Sequence, residues 1–488
     1  MAGSPASSSS RDGAIARALE HFDSGGFRTR LAELVAIPST SQEPEHAADL
    51  RRYLEDGIGP WLQRLGFALA IEANPKPGFG PILTATRLED PARPTVLTYG
   101  HGDTVRGLAE QWHEGRDPWR LSDGRLNEEG DPHTGRWYGR GTADNKGQHV
   151  LNLAALEAVL AERGGRLGFN LKLLLETAEE RGSLGLGDFV AAARERLAAD
   201  VLIGSDGPRV APDVPTIATG TRGTFHFDLV VSLRPGGVHS GHWGGLAPDP
   251  AVILAHALAA IMDRHGRILV RDWLPANGVP AAVRAVLDGC TVDGGGQAAT
   301  IDPDWGEPGL TAAEKLYGWN GFIVLAMTSG RPENPVNALA PDARAHCQIR
   351  YTVDTDPETF APALRRHLDA AGFPEVRIEN AGVRMKASRT DPADPWVRFT
   401  AASLERSLGK RVQVIPNSSG GLPGDVFVDH LGLKLVWIPH SYAGCGQHGP
   451  DEHLLIATAR EAIAGMAGLW WDLGEEGLAG LSTAAAPS

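Results

Sequence analysis

Histidine and acidic side chains follow several apolar segments of this chain, at the point where each segment ends. Imidazole and carboxylate groups together suit zinc, manganese or cobalt, whereas structural zinc sites rely on cysteines. Several carboxylates collected in one place are costly unless cations compensate their charge. The sequence therefore predicts a site for divalent metal ions, and its candidate residues are His101, Asp103, Asp144, Glu179, Glu180, Asp206 and His448.

Asp144 is the candidate for a shared ligand. Two divalent ions about 3.5–4 Å apart need one carboxylate that bridges them. Asp144 has a short side chain, stands where a helix is predicted to begin, and lies in a glycine-rich segment whose backbone can come close. Each candidate also has an ordinary alternative role, such as a helix N-cap for Asp144 or a turn for Asp206. The recurrence of such residues at four separate strand ends favours the metal site.

The candidates are expected at one edge of a parallel sheet. Apolar runs predict strands at residues 95–100, 171–176, 199–204 and 434–439, and helical periodicity predicts a helix at 147–163. Such alternation is typical of a mostly parallel sheet with helices on both faces. Ligands of open parallel sheets bind beyond the carboxyl ends of the strands, which is where the candidates lie.

The chain has 488 residues, which is too long for one hydrophobic core, and two domains are expected. From about residue 215 polar and apolar residues alternate, which predicts half-exposed antiparallel strands, and the parallel-type pattern returns near residue 395. We therefore expect an α/β metal-binding catalytic domain at residues 15–214 and 388–488. An inserted α+β domain at residues 215–387 and a disordered tail at residues 1–14 complete the prediction.

Composition excludes other classes of protein. The formal net charge of −14 argues against a nucleic-acid binder, which would need a basic surface. No apolar run approaches the roughly 20 residues that span a bilayer, and the amino terminus does not resemble a signal peptide. The three cysteines are widely spaced and odd in number, which favours a reducing compartment, and we expect a cytoplasmic protein.

Six segments together resemble the dinuclear metallopeptidases of peptidase family M20. They are GHGDTV (100–105), WYGRGTADNKGQ (137–148), ETAEERGS (176–183), IGSDGP (203–208), GVHSGHWGG (237–245) and GQHGPDEH (446–453). This family includes carnosine dipeptidases, aminoacylases, glutamate carboxypeptidases and acetylornithine deacetylases. The resemblance implies a zinc-peptidase-like catalytic domain whose inserted domain serves as a lid and as the surface of a homodimer.

The resemblance also implies a role for each candidate. Asp103 would orient the imidazole of His101, and Glu179 would be the general base. Adjacent side chains at a strand end point in different directions, so Glu180 can turn to a metal ion while Glu179 faces the substrate. A cis peptide bond is expected after Asp144. The implied ligands are His101 and Asp206 for one ion, Glu180 and His448 for the other, and Asp144 as the bridge.

Residues outside these motifs are implied as substrate contacts. His239 would polarise the scissile carbonyl, and Arg350 would hold a substrate carboxylate, for which a guanidinium is suited. His242 is near enough to His239 to be confused with it. His453 competes with His448, which is preferred because it stands before a short acidic stretch, and Cys445 is treated as a bystander. The remaining candidate contacts are Asn337, Ser418, Ser419, Gly420 and Gly421.

The expected activity is metal-dependent hydrolysis of the amide bond of a dipeptide or short peptide. In the family, an aspartate at position 206 is more common in dipeptidase-like members, and a glutamate in acylases and carboxypeptidases. The alternative is an amidohydrolase that removes the acyl group from an N-acyl amino acid. The expected cofactors are two divalent ions, with zinc first and manganese or cobalt as alternatives. A non-catalytic binding module is disfavoured because all five ligands and Glu179 are present.

Overall fold

The computed structural model describes residues 9–113, 115–124, 135–292 and 300–475. The chain forms two compact units. Unit 1 runs from the amino terminus to Gly220 and resumes at Thr390, and unit 2 comprises Thr221–Cys290 and Thr300–Arg389. The domain boundaries expected from the sequence, 214/215 and 387/388, lie a few residues before these points.

The α-helices of the described residues are mostly short. None of them is long and apolar enough to cross a membrane. They are α1 Arg11–Asp23, α2 Gly26–Val35, α3 Ala47–Arg52, α4 Gly59–Arg64, α5 Lys146–Glu162, α6 Leu186–Ala192, α7 Arg194–Leu197, α8 Ser240–Trp243, α9 Pro250–Ile261, α10 Ala281–Leu287, α11 Ala312–Tyr317, α12 Phe360–Ala370, α13 Pro395–Leu408, α14 Gly424–Leu431 and α15 Ile456–Leu473.

The strands of the described residues belong to both units, and those of unit 1 lie on both sides of unit 2 in the sequence. In chain order the strands are β1 Ala68–Glu72, β2 Ile82–Arg87, β3 Thr95–His101, β4 Ser122–Gly124, β5 Arg136–Tyr138, β6 Asn170–Glu176, β7 Val201–Gly204, β8 Pro208–Arg209, β9 Thr216–Ala218, β10 Gly220–Thr221, β11 Gly223–Ser232, β12 Val238–His239, β13 Gly321–Thr328, β14 Ala338–Leu339, β15 Asp342–Tyr351, β16 Arg377–Met385, β17 Ser388–Arg389, β18 Gln413–Ile415, β19 Lys434–Trp437, β20 Ser441–Tyr442 and β21 His453–Leu455.

An eight-stranded sheet forms the centre of unit 1, in the order β1-β2-β6-β3-β7-β19-β9-β18. The four middle strands β6, β3, β7 and β19 are parallel, so their carboxyl ends lie at one edge. Strands β1 and β2 are antiparallel additions at the rim, and β9 pairs antiparallel with β19. The predicted α/β class with a mostly parallel central sheet is confirmed.

Helices α1, α5, α13 and α15 pack together in the main core of unit 1. Helix α1 begins inside the segment expected to be a disordered tail, so that expectation is wrong for its last residues. Ser10 caps the helix by accepting a hydrogen bond from the Gly13 N–H, and Ala14, Ala18 and Phe22 are buried. These three residues are four positions apart, so they lie on one face of the helix, and burial of that face stabilises the helix. Residues 1–8 of the expected tail lie outside the described residues.

Unit 2 contains a four-stranded antiparallel sheet in the order β13-β15-β11-β16. Helices α9 and α12 pack on one face, and aromatic residues of the strands fill the space between. The opposite face carries polar side chains, such as His226 beside Gln348. Strand β13 is at the edge of the sheet and exposes Ile323, Val324, Leu325 and Met327.

Candidate metal centre

The predicted metal ligands lie at the carboxyl edge of the sheet of unit 1, and each is carried by a different element. His101 is the last residue of β3, and Asp206 follows β7 by two residues. Asp144 precedes α5, Glu180 lies in a short 3-10 helix beyond β6, and His448 lies in the loop between β20 and β21. The parallel order of the strands therefore brings together residues that are far apart in the sequence.

Two groups of ligands share Asp144. The Nε2 atom of His101 is 3.0 Å from Oδ1 of Asp144 and 3.6 Å from Oδ2 of Asp206. The Nε2 atom of His448 is 3.2 Å from Oδ2 of Asp144 and 3.1 Å from Oε2 of Glu180. Within each group the possible ligand atoms lie within 4.8 Å of one another. The two oxygens of Asp144 thus face different histidines, as a bridging carboxylate requires.

The donor atoms fit divalent cations. Oδ2 of Asp206 and Oε1 of Glu180 are buried, and neither accepts a hydrogen bond from the described part of the chain. A buried carboxylate oxygen without a donor is destabilising, and a cation would compensate it. The residues present therefore fit two ions, one for each group of three ligands.

The pKa values of Glu180, Asp206 and His448 are raised when no ion is bound, whereas that of Asp144 is lowered. Burial and the charge of Asp144 raise the pKa of Glu180 and that of Asp206, each to about 7. Burial disfavours the charged form of Asp144 as well, but hydrogen bonds from His101 and His448 hold its pKa well below the usual range. Hydrogen bonds with Asp144 and Glu180 raise the pKa of His448 to about 11. Metal ions must therefore displace protons from this site.

Asp103 contacts both His101 and the following turn. The Nδ1 atom of His101 is 3.0 Å from the main-chain oxygen of Asp103 and 3.5 Å from its carboxylate Oδ1. The carboxylate accepts hydrogen bonds from the hydroxyl of Ser41 and from the N–H groups of Glu179 and Glu180. The main-chain oxygen is thus nearer to the imidazole, and the carboxylate mainly holds the turn that carries the two glutamates.

Glu179 and Glu180 lie in the 3-10 helix Glu179–Arg181, and strand β6 already ends at Glu176. The expectation that they diverge because they stand at a strand end is therefore wrong. A 3-10 helix has 3.0 residues per turn, which separates adjacent side chains by about 120°. Glu180 reaches His448, whereas Oε2 of Glu179 lies 3.9 Å from Nε2 of His101. Burial raises the pKa of Glu179 well above its usual range, and Glu180 adds to the shift.

Comparison with known proteins decides the family. A family model described as Peptidase family M20/M25/M40 matches residues 97–472, a range that contains every candidate metal ligand. The chain belongs to this family. It is therefore a metal-dependent hydrolase of peptide bonds. A solved structure from Bacillus subtilis with a similar fold is described as a dinuclear metal binding peptidase of the M20 family.

The proteins to which this peptidase is similar include two that are named as dipeptidases. It is 30% identical over 411 residues to the cysteinylglycine-S-conjugate dipeptidase of Corynebacterium striatum, covering 80% of this chain and 83% of that protein. It is 32% identical over 256 residues to the Beta-Ala-His dipeptidase of Homo sapiens, covering 50% and 48%. The solved structure of the di-peptidase Dug1p from Saccharomyces cerevisiae has a TM-score of 0.74 at 19% identity and covers 95% of this chain and 99% of that one. This last similarity concerns the fold.

His448 and His453 lie in different surroundings in this family member. His448 adopts a left-handed backbone conformation with φ of 61° and faces Asp144 and Glu180. His453 is buried, its Nε2 lies 2.7 Å from the hydroxyl of Tyr442, and burial lowers its pKa to about 4. Cys445 is buried among apolar neighbours, and burial raises its pKa to about 12. The peptide bond between Asp144 and Asn145 is cis, so that expectation is confirmed.

The other candidate contacts divide between the two units. In unit 2, His239 is exposed and its ring stacks on His242, with 4.5 Å between the centroids. Asn337 is exposed before β14, and Nε of Arg350 in β15 donates to Oε1 of Gln348. In unit 1 the loop between β18 and α14 carries Ser418, which is buried, and Ser419, Gly420 and Gly421, which are partly exposed. The roles of these residues remain predictions.

Sequence reasoning missed several polar residues that support the site. The hydroxyl of Tyr99 donates to Oε1 of the buried Glu176, and Ser41 donates to Asp103. Asn145 donates from its amide to the main-chain oxygen of Ser205. Tyr99 and Asn145 lie within or beside the quoted motifs, but their types are common in cores and loops. Only the three-dimensional contacts distinguish them.

Proposed function

We propose that this peptidase hydrolyses dipeptides or short peptides in a metal-dependent reaction. The observation that carries the proposal is the sharing of Asp144 between two groups of ligands, one with His101 and Asp206 and one with Glu180 and His448. The similarity to two proteins named as dipeptidases supports the substrate class.

In the proposed site His101 and Asp206 hold one ion, Glu180 and His448 hold the other, and Asp144 holds both. Zinc is the proposed metal, since imidazole and carboxylate ligands without thiolates suit it, and manganese and cobalt accept the same ligands. Bound ions would supply positive charge that polarises a carbonyl and lowers the pKa of a water molecule.

Glu179 is the proposed general base. Its carboxylate lies near His101 but belongs to neither group of ligands. It would take a proton from the attacking water and pass that proton to the leaving amine. The positive charge of bound ions would lower its raised pKa, so the base would be ionised near neutral pH.

Residues outside the metal centre are proposed as substrate contacts. Arg350 would hold a substrate carboxylate, and its Nη1 atom is buried without a hydrogen-bond partner among the described residues. His239 would polarise the scissile carbonyl. Further contacts are proposed for Asn337, Ser419, Gly420 and Gly421.

A homodimer formed through unit 2 is also proposed. Strand β13 is an edge strand, and four of its eight residues are exposed large apolar residues. Exposed apolar edges of this kind favour pairing with a second chain.

The proposed location is the cytoplasm, and this rests on three free cysteines that form no disulfide.

Hydrolysis of matched substrates tests the function. The protein is loaded with zinc and assayed on a panel of dipeptides and on their N-acetyl analogues, with a chelator-treated sample as the control. We expect cleavage of the free dipeptides and none after chelation. Preference for the acetylated compounds would instead support a deacylase, and activity that survives chelation would overturn the proposal.

A further inference from the structure

Glu452 has an unusual number of hydrogen bonds for a buried carboxylate. Its side chain is 1% exposed. Oε1 accepts from the N–H groups of Ala143 and Asp144, both at 2.9 Å. Oε2 accepts from the N–H of Gly141 at 3.0 Å and from Nη1 of Arg140 at 2.9 Å. A carboxylate can accept about four hydrogen bonds, so these four donors satisfy Glu452 completely.

All four donors belong to the segment that ends at the shared ligand. The segment follows β5 and leads into α5, and Asp144 is its last donor. Main-chain contacts add to the side-chain contacts, because the N–H of Gly139 donates to the main-chain oxygen of Glu452. One carboxylate therefore fixes the backbone that determines where Asp144 lies.

Glu452 itself belongs to the loop that carries His448. The N–H of His453 donates to the oxygen of Cys445, which closes the base of this loop, and a second bond joins Gly449 to Gly446. Strand β21 follows the loop and pairs antiparallel with β5. The loop of His448 therefore enters β21 beside the point where the segment of Asp144 leaves β5, and Glu452 joins the two a second time.

We propose that Glu452 is a positioning residue that fixes the backbone of Asp144 relative to the loop of His448. It thereby sets the affinity for the ion held by Asp144, Glu180 and His448, which is called the second ion below. The inference rests on the proposed function, because that function requires this ion. Glu452 contacts no proposed ligand side chain, so it acts through the positions of the two ligand-bearing segments.

Replacement of Glu452 by glutamine tests the geometry. The amide oxygen can still accept from two N–H groups, but the amide nitrogen is a donor and faces the donors of Gly141 and Arg140. The segment before Asp144 then has to move. Loss of such a supporting contact weakens metal binding by about 10–100-fold.

The matched control is Asp472→Asn. Asp472 is also a buried carboxylate in contact with arginine and hydroxyl groups, namely Arg11, Arg406 and Ser403, and it lies outside the metal centre. Both substitutions remove a buried charge, and both are expected to lower the melting temperature. Only the Glu452 variant is expected to change metal binding.

The experiment titrates the metal-free proteins with Co²⁺, followed by its visible absorption, and with Zn²⁺ in buffers of fixed free concentration. Thermal unfolding curves give the folded fraction of each protein at the temperature of the titration. We expect two ions on the wild-type protein and on Asp472→Asn, and a second ion bound about 10–100-fold more weakly by Glu452→Gln. The kcat/KM of Glu452→Gln should rise with added Zn²⁺, and that of Asp472→Asn should not.

Glu452→Asp provides a second variant if the glutamine variant does not fold. It keeps the charge but is one methylene shorter, so it should weaken the second ion in the same direction. Two ions bound with wild-type affinity by the Glu452 variants would overturn the positioning role and leave the dinuclear site intact. Fewer than two ions on the wild-type protein would overturn the dinuclear site as well.

Discussion

Glu179 and Glu180 are adjacent in the sequence, yet their carboxylates lie beside different histidines. Glu180 is 3.1 Å from His448, and Glu179 is 3.9 Å from His101. The turn between β6 and α6 produces this separation, and the carboxylate of Asp103 holds the turn through both N–H groups. The two glutamates can therefore perform different tasks although their chemistry is the same.

Glu179→Gln should lower kcat by about 10²–10⁴-fold and leave metal binding unchanged. Glutamine has the same shape but cannot accept the proton, and general-base catalysis contributes about 10²–10⁴-fold in rate. The measurement is kcat on a dipeptide together with metal content by mass spectrometry. Glu180→Gln is the matched control, and it should lose one ion. A Glu179→Gln protein that keeps its activity, or that loses metal, would contradict the assigned role.

Metal affinity should rise with pH between about 6 and 8. Glu180 and Asp206 have pKa values of about 7 without metal and His448 has one of about 11, so these groups hold protons at low pH. An ion must release those protons, and fewer remain on the two carboxyl groups at pH 8 than at pH 6. Calorimetry of zinc binding in buffers of different ionisation enthalpy measures the release. Equal affinity and equal proton release at both pH values would disprove the expected linkage.

The candidate metal ligands could be identified from the sequence, whereas the residues that hold them in place could not. A histidine or carboxylate at the end of an apolar run has few structural reasons to be there, so His101 and Asp206 stand out. Glu452 and Ser41 do not stand out, because their role depends on backbone N–H groups and on Asp103, which come close only after folding. Side chains that bind main-chain groups leave little trace in the spacing of residue types.

At the scale of elements, the parallel strands and the start of α5 position the ligands. Strand β3 ends in His101, opposite Glu176 of β6. Helix α5 begins two residues after Asp144, and its first turn lies close to the segment before it. The Cβ atom of an alanine at position 147 would lie 2.0 Å from the main-chain oxygen of Thr142. Only glycine allows this approach of helix and loop.

Gly147→Ala should destabilise the protein by about 1–3 kcal/mol, because the clash is with backbone and cannot be relieved by a side-chain rotation. The displaced segment carries Asp144, so zinc affinity should fall as well. Urea unfolding measures the free energy and a competition assay measures the affinity. Gly236→Ala is the control, since nothing lies within 4 Å of its added Cβ atom. An unchanged midpoint for Gly147→Ala would argue against the close approach.

Long buried strands were predictable and the rim of the sheet was not. Strands β3, β6 and β7 are rich in apolar residues and buried along almost their whole length, which is the pattern of a sheet covered on both faces. Strand β1 is only partly buried, and its four consecutive apolar residues are too short a run to distinguish a strand from part of a helix. Helix α1 was not predicted from the sequence either. The small residues Ala14 and Ala18 form much of its buried face, and they give only a weak apolar pattern.

For the whole molecule, unit 2 interrupts unit 1 and carries an exposed apolar edge on β13. Leu325 is 54% exposed on this edge. If the edge forms the proposed dimer, Leu325→Glu should yield monomers, because the charge would be buried at the contact. Light scattering with size-exclusion chromatography measures the mass. Leu88→Glu in unit 1, at a leucine that is 64% exposed, is the control and should remain dimeric. A monomeric wild-type protein would refute the dimer.

The position of β19 has a consequence for biosynthesis. This strand lies between β7 and β9 in the sheet, although the ribosome makes it only after all of unit 2. A nascent chain that ends before residue 434 leaves the facing edges of β7 and β9 without their partner, and such edges invite association between chains. The same chain lacks His448. The sheet can therefore close, and the proposed ligand set can be complete, only after the segment that carries β19 and His448 has been synthesised.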